Sequence, residues 1–319
     1  MRALVTGGAG AIGSHLVDVL LARGDEVAVL DSFHDFYPRA LKERNLAGAR
    51  QEPRFRGVYE GDIRDRDFVH KTFAELRPEV VFHLAARAGV RPSVEEPVDY
   101  VDVNLNGTAV VMHEATRVPV RSVIFASSST VYGDDSESPF CESGEVGRPV
   151  SPYGATKRGG ELLCYALQRT SGIDVTCLRF FSAYGPRQRP DLAIACWAGA
   201  LRAGRPIPVY GDGSVERDFT YVEDVVDGVV RAADRASGFH IYNLGRGQPY
   251  AMNRIIELLE GALGVRARRE LHPAHPADMP RTFASIDRAR AELGYDPKVE
   301  IEEGIRRYVD WLEQNEGAS

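Results

Sequence analysis

Residues 2–31 read RALVTGGAGAIGSHLVDVLLARGDEVAVLD, a pattern typical of a dinucleotide-binding α/β fold. A short apolar strand leads into a turn with Gly7, Gly10 and Gly13, then into a helical segment and a second strand that closes on Asp31. Glycines without a Cβ let the backbone approach a pyrophosphate, and the following helix N-terminus offers it unpaired N–H groups. Asp31 is placed to accept hydrogen bonds from both hydroxyls of an adenosine ribose. Because a carboxylate there repels a 2′-phosphate, the pattern predicts bound NAD rather than NADP.

The same alternation of strands and helices continues along the chain. Short β-branched runs occur at residues 3–6, 26–31, 80–83, 123–127 and 175–179. Their apolar character predicts a doubly wound parallel sheet of the Rossmann type, buried on both faces, with the active groups at the carboxyl ends of its strands. After residue 179 the segments become rich in turns. We therefore expect an NAD-binding domain over 1–179, to which 222–244 returns, and a smaller α/β lobe that binds the substrate over 180–319.

Composition excludes several classes of function. The chain has 319 residues and a formal net charge of −7, which argues against nonspecific nucleic-acid binding, and no apolar run reaches membrane-spanning length. Met1 leads directly into the first strand, so we expect a cytoplasmic protein without a signal peptide. The four cysteines lack CxxC spacing and are predicted to be reduced core residues, without a metal site.

Other candidate cofactor contacts follow the third and fourth predicted strands. Asp62 and Ile63 come after YEG and are predicted to contact the adenine, although a turn aspartate and a core residue are an open alternative. The predicted cofactor-binding residues are Gly7, Gly10, Ala11, Ile12, Gly13, Asp31, Asp62, Ile63, Leu84, Ala85, Ala86, Tyr153 and Lys157. His83 itself is expected to be a neutral histidine packed in the sheet.

The segment PYGATK carries the predicted catalytic pair, Tyr153 and Lys157. If a helix begins after Ser151 with Pro152 in its first turn, the two side chains lie four residues apart on one face. An ammonium beside a phenol favours the phenolate. Lowering the pKa of a tyrosine from about 10 to about 7 takes roughly 4 kcal/mol, which Lys157 and a nicotinamide cation together can supply.

Four motifs together resemble the extended short-chain dehydrogenase/reductase family, which contains the nucleotide-sugar epimerases and dehydratases. They are TGGxGxxG, HLAA at 83–86, SSSTVYG at 127–133, and YxxxK. The resemblance implies that Ser128 hydrogen-bonds the sugar hydroxyl being oxidised, with Ser129 and Thr130 facing the substrate. It also implies a homodimer that forms through two helices, one around 104–116 and the one that carries Tyr153.

The same resemblance implies a redox reaction at C4 of a sugar, with Tyr153 taking the proton of the 4-hydroxyl. Dehydratases and decarboxylases of the family carry a glutamate just before VYG, where this chain has Thr130. The simplest outcome is that the keto sugar turns over and is reduced on its other face, which is 4-epimerisation. A dehydratase, a UDP-glucuronate decarboxylase, a net dehydrogenase and a catalytically silent NAD-binding sensor are the alternatives.

The substrate is predicted from the segment that opens the second lobe. Arg187, Arg189 and Arg217 suit the diphosphate of a nucleotide sugar, because guanidinium groups bind phosphates bidentately. Glucose/galactose 4-epimerases, the main alternative, show RYFN where this chain has RFFS, ending in Ser182. With GPRQRPDLA, AGVRPS and the 31–45 stretch, this looks most like the UDP-glucuronate 4-epimerases. The predicted substrate-binding residues are Ser128, Ser129, Thr130, Ser182, Arg189, Arg217, Arg91 and Asp278.

Overall fold

A computed structural model describes residues 1–144, 146–274 and 279–315. The strands are β1 Arg2–Thr6, β2 Glu26–Asp31, β3 Phe55–Glu60, β4 Val80–His83, β5 Ser122–Ser128, β6 Asp174–Phe180, β7 Ser182–Tyr184, β8 Ile207–Tyr210, β9 Glu216–Tyr221, β10 Phe239–Leu244, β11 Pro249–Ala251, β12 Arg269–His272 and β13 Arg281–Thr282. The helices are α1 Ala11–Ala22, α2 Arg39–Asn45, α3 Arg66–Leu76, α4 Val90–Glu95, α5 Pro97–Val101, α6 Thr108–Ala115, α7 Pro152–Ser171, α8 Ala193–Arg202, α9 Val222–Asp234, α10 Met252–Leu263, α11 Asp287–Leu293 and α12 Ile301–Gln314. A π-helical segment, Asp102–Gly107, joins α5 to α6.

Seven parallel strands form the main sheet in the order β10-β6-β5-β4-β1-β2-β3. Helices cover both faces, and the central strands β1, β4 and β5 are almost fully buried. The order reverses on either side of β1, which places a crevice at the carboxyl ends of β1 and β4. The predicted doubly wound α/β fold is confirmed.

The second lobe is built on smaller sheets. Strands β7, β9, β11 and β13 form one of them, and β8 pairs with β12 in another. Helices α8, α10 and α12 pack on them around Trp197, Ile255 and Ile305 in a hydrophobic cluster of their own. This lobe stands at the carboxyl-end edge of the main sheet, because β6 leads directly into β7.

The chain crosses between the two lobes more than once. Strand β10 extends the main sheet beside β6, and α9 packs against α1, so 222–244 lies with the first lobe. The apolar side chains of Ala284, Leu293 and Tyr295 also belong to the cluster of the first lobe. These residues come after position 180 and yet pack in the first lobe. The domain bounds 1–179 and 180–319 stay a prediction.

The cysteines differ from the expectation that all four lie in the core. Cys164 and Cys177 are buried, whereas Cys141 is exposed and Cys196 is half-buried. The prediction is therefore wrong for Cys141 and Cys196, because they lie in a surface loop and on the cavity side of α8. Within the described ranges no three or more potential ligands cluster as a metal site would require, and no helix there is long and apolar enough to cross a membrane.

Candidate active site

A cavity of about 820 Å³ lies between the two lobes at the carboxyl ends of the main strands. Every described residue of the predicted cofactor-binding and substrate-binding sets lines it, from the glycine turn through Ser128, Tyr153 and Lys157 to Ser182 and the arginines Arg91, Arg189 and Arg217. Arg187, which the sequence groups with these arginines, does not line it. Asp278 lies outside the described residues. The sequence segments of the predicted site thus converge on a single cavity.

The glycine turn fits a dinucleotide because its backbone is too close to other backbone for side chains. Gly7 has φ +70°, and a Cβ on it would stand 2.8 Å from the amide nitrogen of Ala85. A Cβ on Gly13 would stand 2.3 Å from the carbonyl oxygen of Gly7. Helix α1 begins at Ala11 without a side-chain cap, so the N–H groups of its first turn are directed at a phosphate position.

Asp31 is held in place by the backbone around it. Its Oδ2 accepts a hydrogen bond from the Ala9 N–H at 3.0 Å, and its Oδ1 accepts one from the Phe33 N–H at 2.8 Å. Each carboxylate oxygen has a further lone pair. The carboxylate can therefore accept two ribose hydroxyls without giving up its own anchors.

The two predicted adenine contacts occupy different environments. Asp62 is half-exposed and pairs with Arg64 at 2.7 Å. Ile63 is buried beneath the π-helical segment, where a Cβ on Gly107 would stand 2.6 Å from its side chain. Both line the cavity, with Asp62 at its polar rim and Ile63 at its apolar wall.

Helix α7 places the predicted catalytic pair as the sequence indicates. It begins at Pro152, and Ser151 caps it by accepting a hydrogen bond from the Gly154 N–H at 3.1 Å. The Lys157 ammonium lies 5.9 Å from the centre of the Tyr153 ring and donates to the carbonyl oxygen of Ala126 at 2.8 Å. Burial lowers the pKa of Lys157 to about 8.

The phenol of Tyr153 is in contact with a hydroxyl and near a cation. Burial raises the pKa of Tyr153, while a hydrogen bond with Ser128 and the charge of Arg189 act in the opposite direction. Thr130 donates to the Ser128 hydroxyl oxygen at 3.0 Å, which leaves the Ser128 proton available for Tyr153. Position 130, where dehydratases and decarboxylases of the resembled family carry a glutamate, thus holds a hydroxyl that orients Ser128.

The arginines of the predicted diphosphate site separate in the structure. Arg187 is not in the cavity wall and pairs with Asp18 of α1 at 2.7 Å, so its grouping with the phosphate-binding arginines is wrong. Arg189 donates to the carbonyl oxygen of Ala88 at 3.1 Å, which places it on the first-lobe side of the cavity, and its charge acts against the raised pKa of Tyr153. Arg217 donates to the carbonyl oxygen of Met279 at 2.7 Å and stays in the second lobe. The guanidinium carbon of Arg91 lies 3.7 Å from the centre of the Tyr210 ring.

His83 is confirmed as a packed, neutral histidine. Its two ring nitrogens are hydrogen-bonded to the hydroxyls of Thr6 at 2.8 Å and Thr108 at 3.0 Å. Burial, with the charge of Lys157 nearby, lowers its pKa to about 3. It is therefore uncharged at neutral pH and holds β1 to α6.

Several residues that line the cavity were not predicted from the sequence. They include Phe36, Tyr37, Lys42, Arg87 and Tyr210. Four of these lie in or against the loop between β2 and α2, which the sequence marks only through its resemblance to other proteins. A sequence pattern cannot show that this loop folds back over the cavity.

The whole chain was compared with known proteins. Residues 3–245 match the model of the NAD dependent epimerase/dehydratase family. The chain belongs to this family. NAD is therefore its cofactor, and the glycine turn, Asp31 and the uncapped start of α1 are suited to hold it. It is 39% identical to the UDP-glucuronate 4-epimerase of Thermodesulfobacterium geofontis, over 98% of this chain and 96% of that protein.

Two solved structures show how far the fold alone discriminates. The UDP-glucuronic acid 4-epimerase from Bacillus cereus, in complex with UDP-glucuronic acid and NAD, matches with a TM-score of 0.92 and 33% identity over 98% of this chain and 99% of that one. A dTDP-glucose 4,6-dehydratase from Streptomyces venezuelae matches with the same TM-score and identity over 99% and 98%. Since the two neighbours are equally similar, the reaction has to be argued from side chains.

Proposed function

We propose that this protein is an NAD-dependent UDP-sugar 4-epimerase that interconverts UDP-glucuronate and UDP-galacturonate. The observation that carries the proposal is the pairing of an intact Tyr153, Lys157 and Ser128 with a Thr130 that donates its hydroxyl to Ser128. The first group can take the proton of the 4-hydroxyl when C4 is oxidised by NAD. The second offers no carboxylic acid for elimination at C5.

The chain's own residues move the proton. Tyr153 takes the proton of the 4-hydroxyl, and Ser128 holds the same hydroxyl by a hydrogen bond. The buried ammonium of Lys157 favours the phenolate, because a nearby positive charge stabilises the ionised form. Bound NAD supplies the hydride acceptor and, after the 4-keto sugar has turned over, the hydride donor.

The sugar carboxylate is assigned to two neutral hydroxyls and one charged guanidinium. Ser129 and Ser182 offer hydroxyl donors at the sugar end of the cavity, and Arg189 brings a guanidinium close enough to act on Tyr153. The sequence predicts that Arg189 binds the diphosphate, whereas we assign it to the sugar carboxylate. Arg217 and Arg91 stay with the diphosphate and the nucleotide.

A 4-keto glucuronate is a β-keto acid that loses carbon dioxide readily. Decarboxylation requires the C5–C6 bond to lie parallel to the π orbitals of the C4 ketone, which depends on the conformation of the ring. Hydroxyl donors from Ser129 and Ser182, together with a guanidinium, hold the bound carboxylate out of this alignment. In this proposal they protect the intermediate as well as bind it.

The same proposal includes the oligomeric state and the location. Large apolar side chains are exposed on the adjacent helices α5 and α7, with Val98 81%, Val101 48%, Leu162 55% and Tyr165 49% exposed. We assign this face to a second copy of the chain, which forms a homodimer in the cytoplasm. The face includes the helix that carries Tyr153, as the resemblance implies, but its second helix is α5 rather than the segment around 104–116. Sedimentation at micromolar concentration, compared with a Val98→Lys variant, tests the dimer.

Product analysis tests the function. Purified protein is incubated separately with UDP-glucuronate, UDP-glucose and UDP-galactose, and the products are resolved by chromatography. The expected result is UDP-galacturonate from UDP-glucuronate without accumulation of free NADH. Turnover of the neutral sugars alone would overturn the carboxylate assignment. UDP-xylose-type products would indicate a decarboxylase, stoichiometric NADH a dehydrogenase, and no product at all a silent NAD-binding protein.

A further inference from the structure

The loop between β2 and α2, residues 32–38, lies over the cavity and reaches the second lobe. It starts at Asp31, whose Oδ1 accepts the Phe33 N–H, and Phe33 has φ +48°. A bulky residue at positive φ marks a sharp local turn. The turn directs the following residues across the cavity mouth, where Ser32, His34, Phe36 and Tyr37 line its wall.

Phe36 is the residue of this loop that contacts two arginines from different parts of the chain. The guanidinium carbon of Arg87 lies 5.4 Å from the centre of its ring, and that of Arg189 lies 4.9 Å away. Both distances are within the range of cation–π attraction. The ring therefore joins the strand-end loop that carries Arg87 to the second-lobe loop that carries Arg189.

Arg87 is the fixed end of this arrangement. Its guanidinium pairs with Glu96 at 2.8 Å and with Asp99 at 2.7 Å, and its backbone N–H donates to Asn104 at 2.8 Å. Its side chain is 11% exposed. Two carboxylates and a buried amide hold Arg87, so the face it presents to Phe36 is rigid.

Arg189 is the end that lines the cavity and has donors left for a ligand. Its Nε and one terminal nitrogen donate to Asp191 at 3.0 and 2.7 Å, and the other terminal nitrogen donates to the carbonyl oxygen of Ala88 at 3.1 Å. A guanidinium has five N–H groups, so two remain beyond these three bonds with described residues. Because Asp191 already competes for the charge, a second carboxylate binds well only if those two groups are aimed at it.

We propose that Phe36 is a positioning residue that holds the guanidinium of Arg189 toward the sugar carboxylate and so determines the preference for an acidic sugar. The inference rests on the proposed function, in which Arg189 binds that carboxylate. The ring supplies attraction on the face of the guanidinium and leaves its N–H edge for the substrate. A side chain of the same volume without a π face keeps the packing but loses the orientation.

Binding measurements separate this role from simple packing. They are made on the NAD-loaded protein carrying Tyr153→Phe, so that no turnover occurs, with UDP-glucuronate and UDP as ligands in calorimetric titrations. Adding Phe36→Leu is expected to weaken UDP-glucuronate by about three- to tenfold, the effect of one or two cation–π contacts, and to leave UDP unchanged. Adding Phe36→Tyr, which keeps the ring, is expected to preserve both affinities.

A matched control is Phe239→Leu in the same background. Phe239 is also half-buried and stacks edge-on with Tyr165, but it stands at the first residue of β10, at the end of the sheet opposite to the cavity. It should change neither affinity. Equal weakening of UDP and UDP-glucuronate by Phe36→Leu, or no weakening of either, would overturn the role of Phe36. If the protein with Phe36 intact binds UDP-glucuronate no better than UDP, the assignment of Arg189 fails instead.

Discussion

Arg179 and Lys157 are both buried beside β5, but only Arg179 has a carboxylate partner among the described residues. Arg179 on β6 is 1% exposed and pairs bidentately with Glu161 of α7, at 2.8 and 2.9 Å. Lys157, one helical turn before Glu161, is 4% exposed and donates to a backbone carbonyl. Among the described residues no carboxylate acts on its pKa.

The pKa values show what this difference does. Burial acts to lower the pKa of Arg179, but Glu161 outweighs it and raises the pKa above its ordinary value. For Lys157 burial outweighs the opposing effect of Cys164, and the pKa falls to about 8. Arg179 is a fixed structural cation that holds α7 to β6. In the part of the chain that the structure describes, no carboxylate pairs with Lys157, so its charge can stabilise the phenolate of Tyr153, as its proposed role requires.

The largest effect should come from removing Lys157, which has no carboxylate partner within the described ranges. Lys157→Met is expected to lower kcat for UDP-glucuronate by about 10²- to 10⁴-fold, the range for loss of assistance to a general base. The midpoint of thermal unfolding at pH 7 should not fall, because a buried charge is replaced by an apolar side chain of similar length. Arg158→Met, one residue along α7 and on its half-exposed face, serves as the control for kcat. Full activity of Lys157→Met would show that the ammonium of Lys157 does not assist the proton transfer to Tyr153.

The compensated cation should instead affect stability. Arg179→Met leaves Glu161 buried with only Arg158 and Ser127 as partners, and is expected to reduce the free energy of unfolding in urea by about 3–5 kcal/mol. Adding Glu161→Gln should restore much of the loss, since it removes the orphaned charge. A double variant less stable than the single one would show that the pair contributes more than mutual neutralisation.

The smallest effect is a pH dependence specific to Lys157. In the unfolded chain the lysine titrates near 10.5 and in the folded protein near 8, so between these values the unfolded state binds more protons. The free energy of unfolding of the NAD-free protein should therefore gain about 3 kcal/mol from this group as the pH rises from 8 to 10.5. Urea titrations at pH 7, 9 and 10 should show a gap between Lys157→Met and the unaltered chain that narrows with pH. A constant gap would place the charge outside the low-dielectric site.

The first lobe could be predicted from sequence because its signals are local. The glycine turn, the closing Asp31 and the cap of α7 at Ser151 each depend on a few consecutive residues, and the family model covers the same part of the chain. The predicted sheet and the catalytic pair follow from these patterns together with the resemblance.

The second lobe and the cavity mouth depend on contacts between distant segments. Nothing local distinguishes Arg187, which pairs with Asp18, from Arg189, which lines the cavity, although they are two residues apart. Phe36 reaches Arg189 through a loop that turns at Phe33, where φ is positive. The pairing of Glu161 with Arg179 likewise joins a helix to a strand, and neither residue marks the other in sequence.

In the proposed reaction the hydride leaves C4 of the sugar and returns to the same carbon from the bound cofactor. Conversion of UDP-glucuronate labelled with deuterium at C4, in ordinary water, followed by mass and proton spectra of the product, tests this step. The expected product is UDP-galacturonate that keeps the deuterium at C4. Loss of the label to solvent, or its appearance at another carbon, would contradict it.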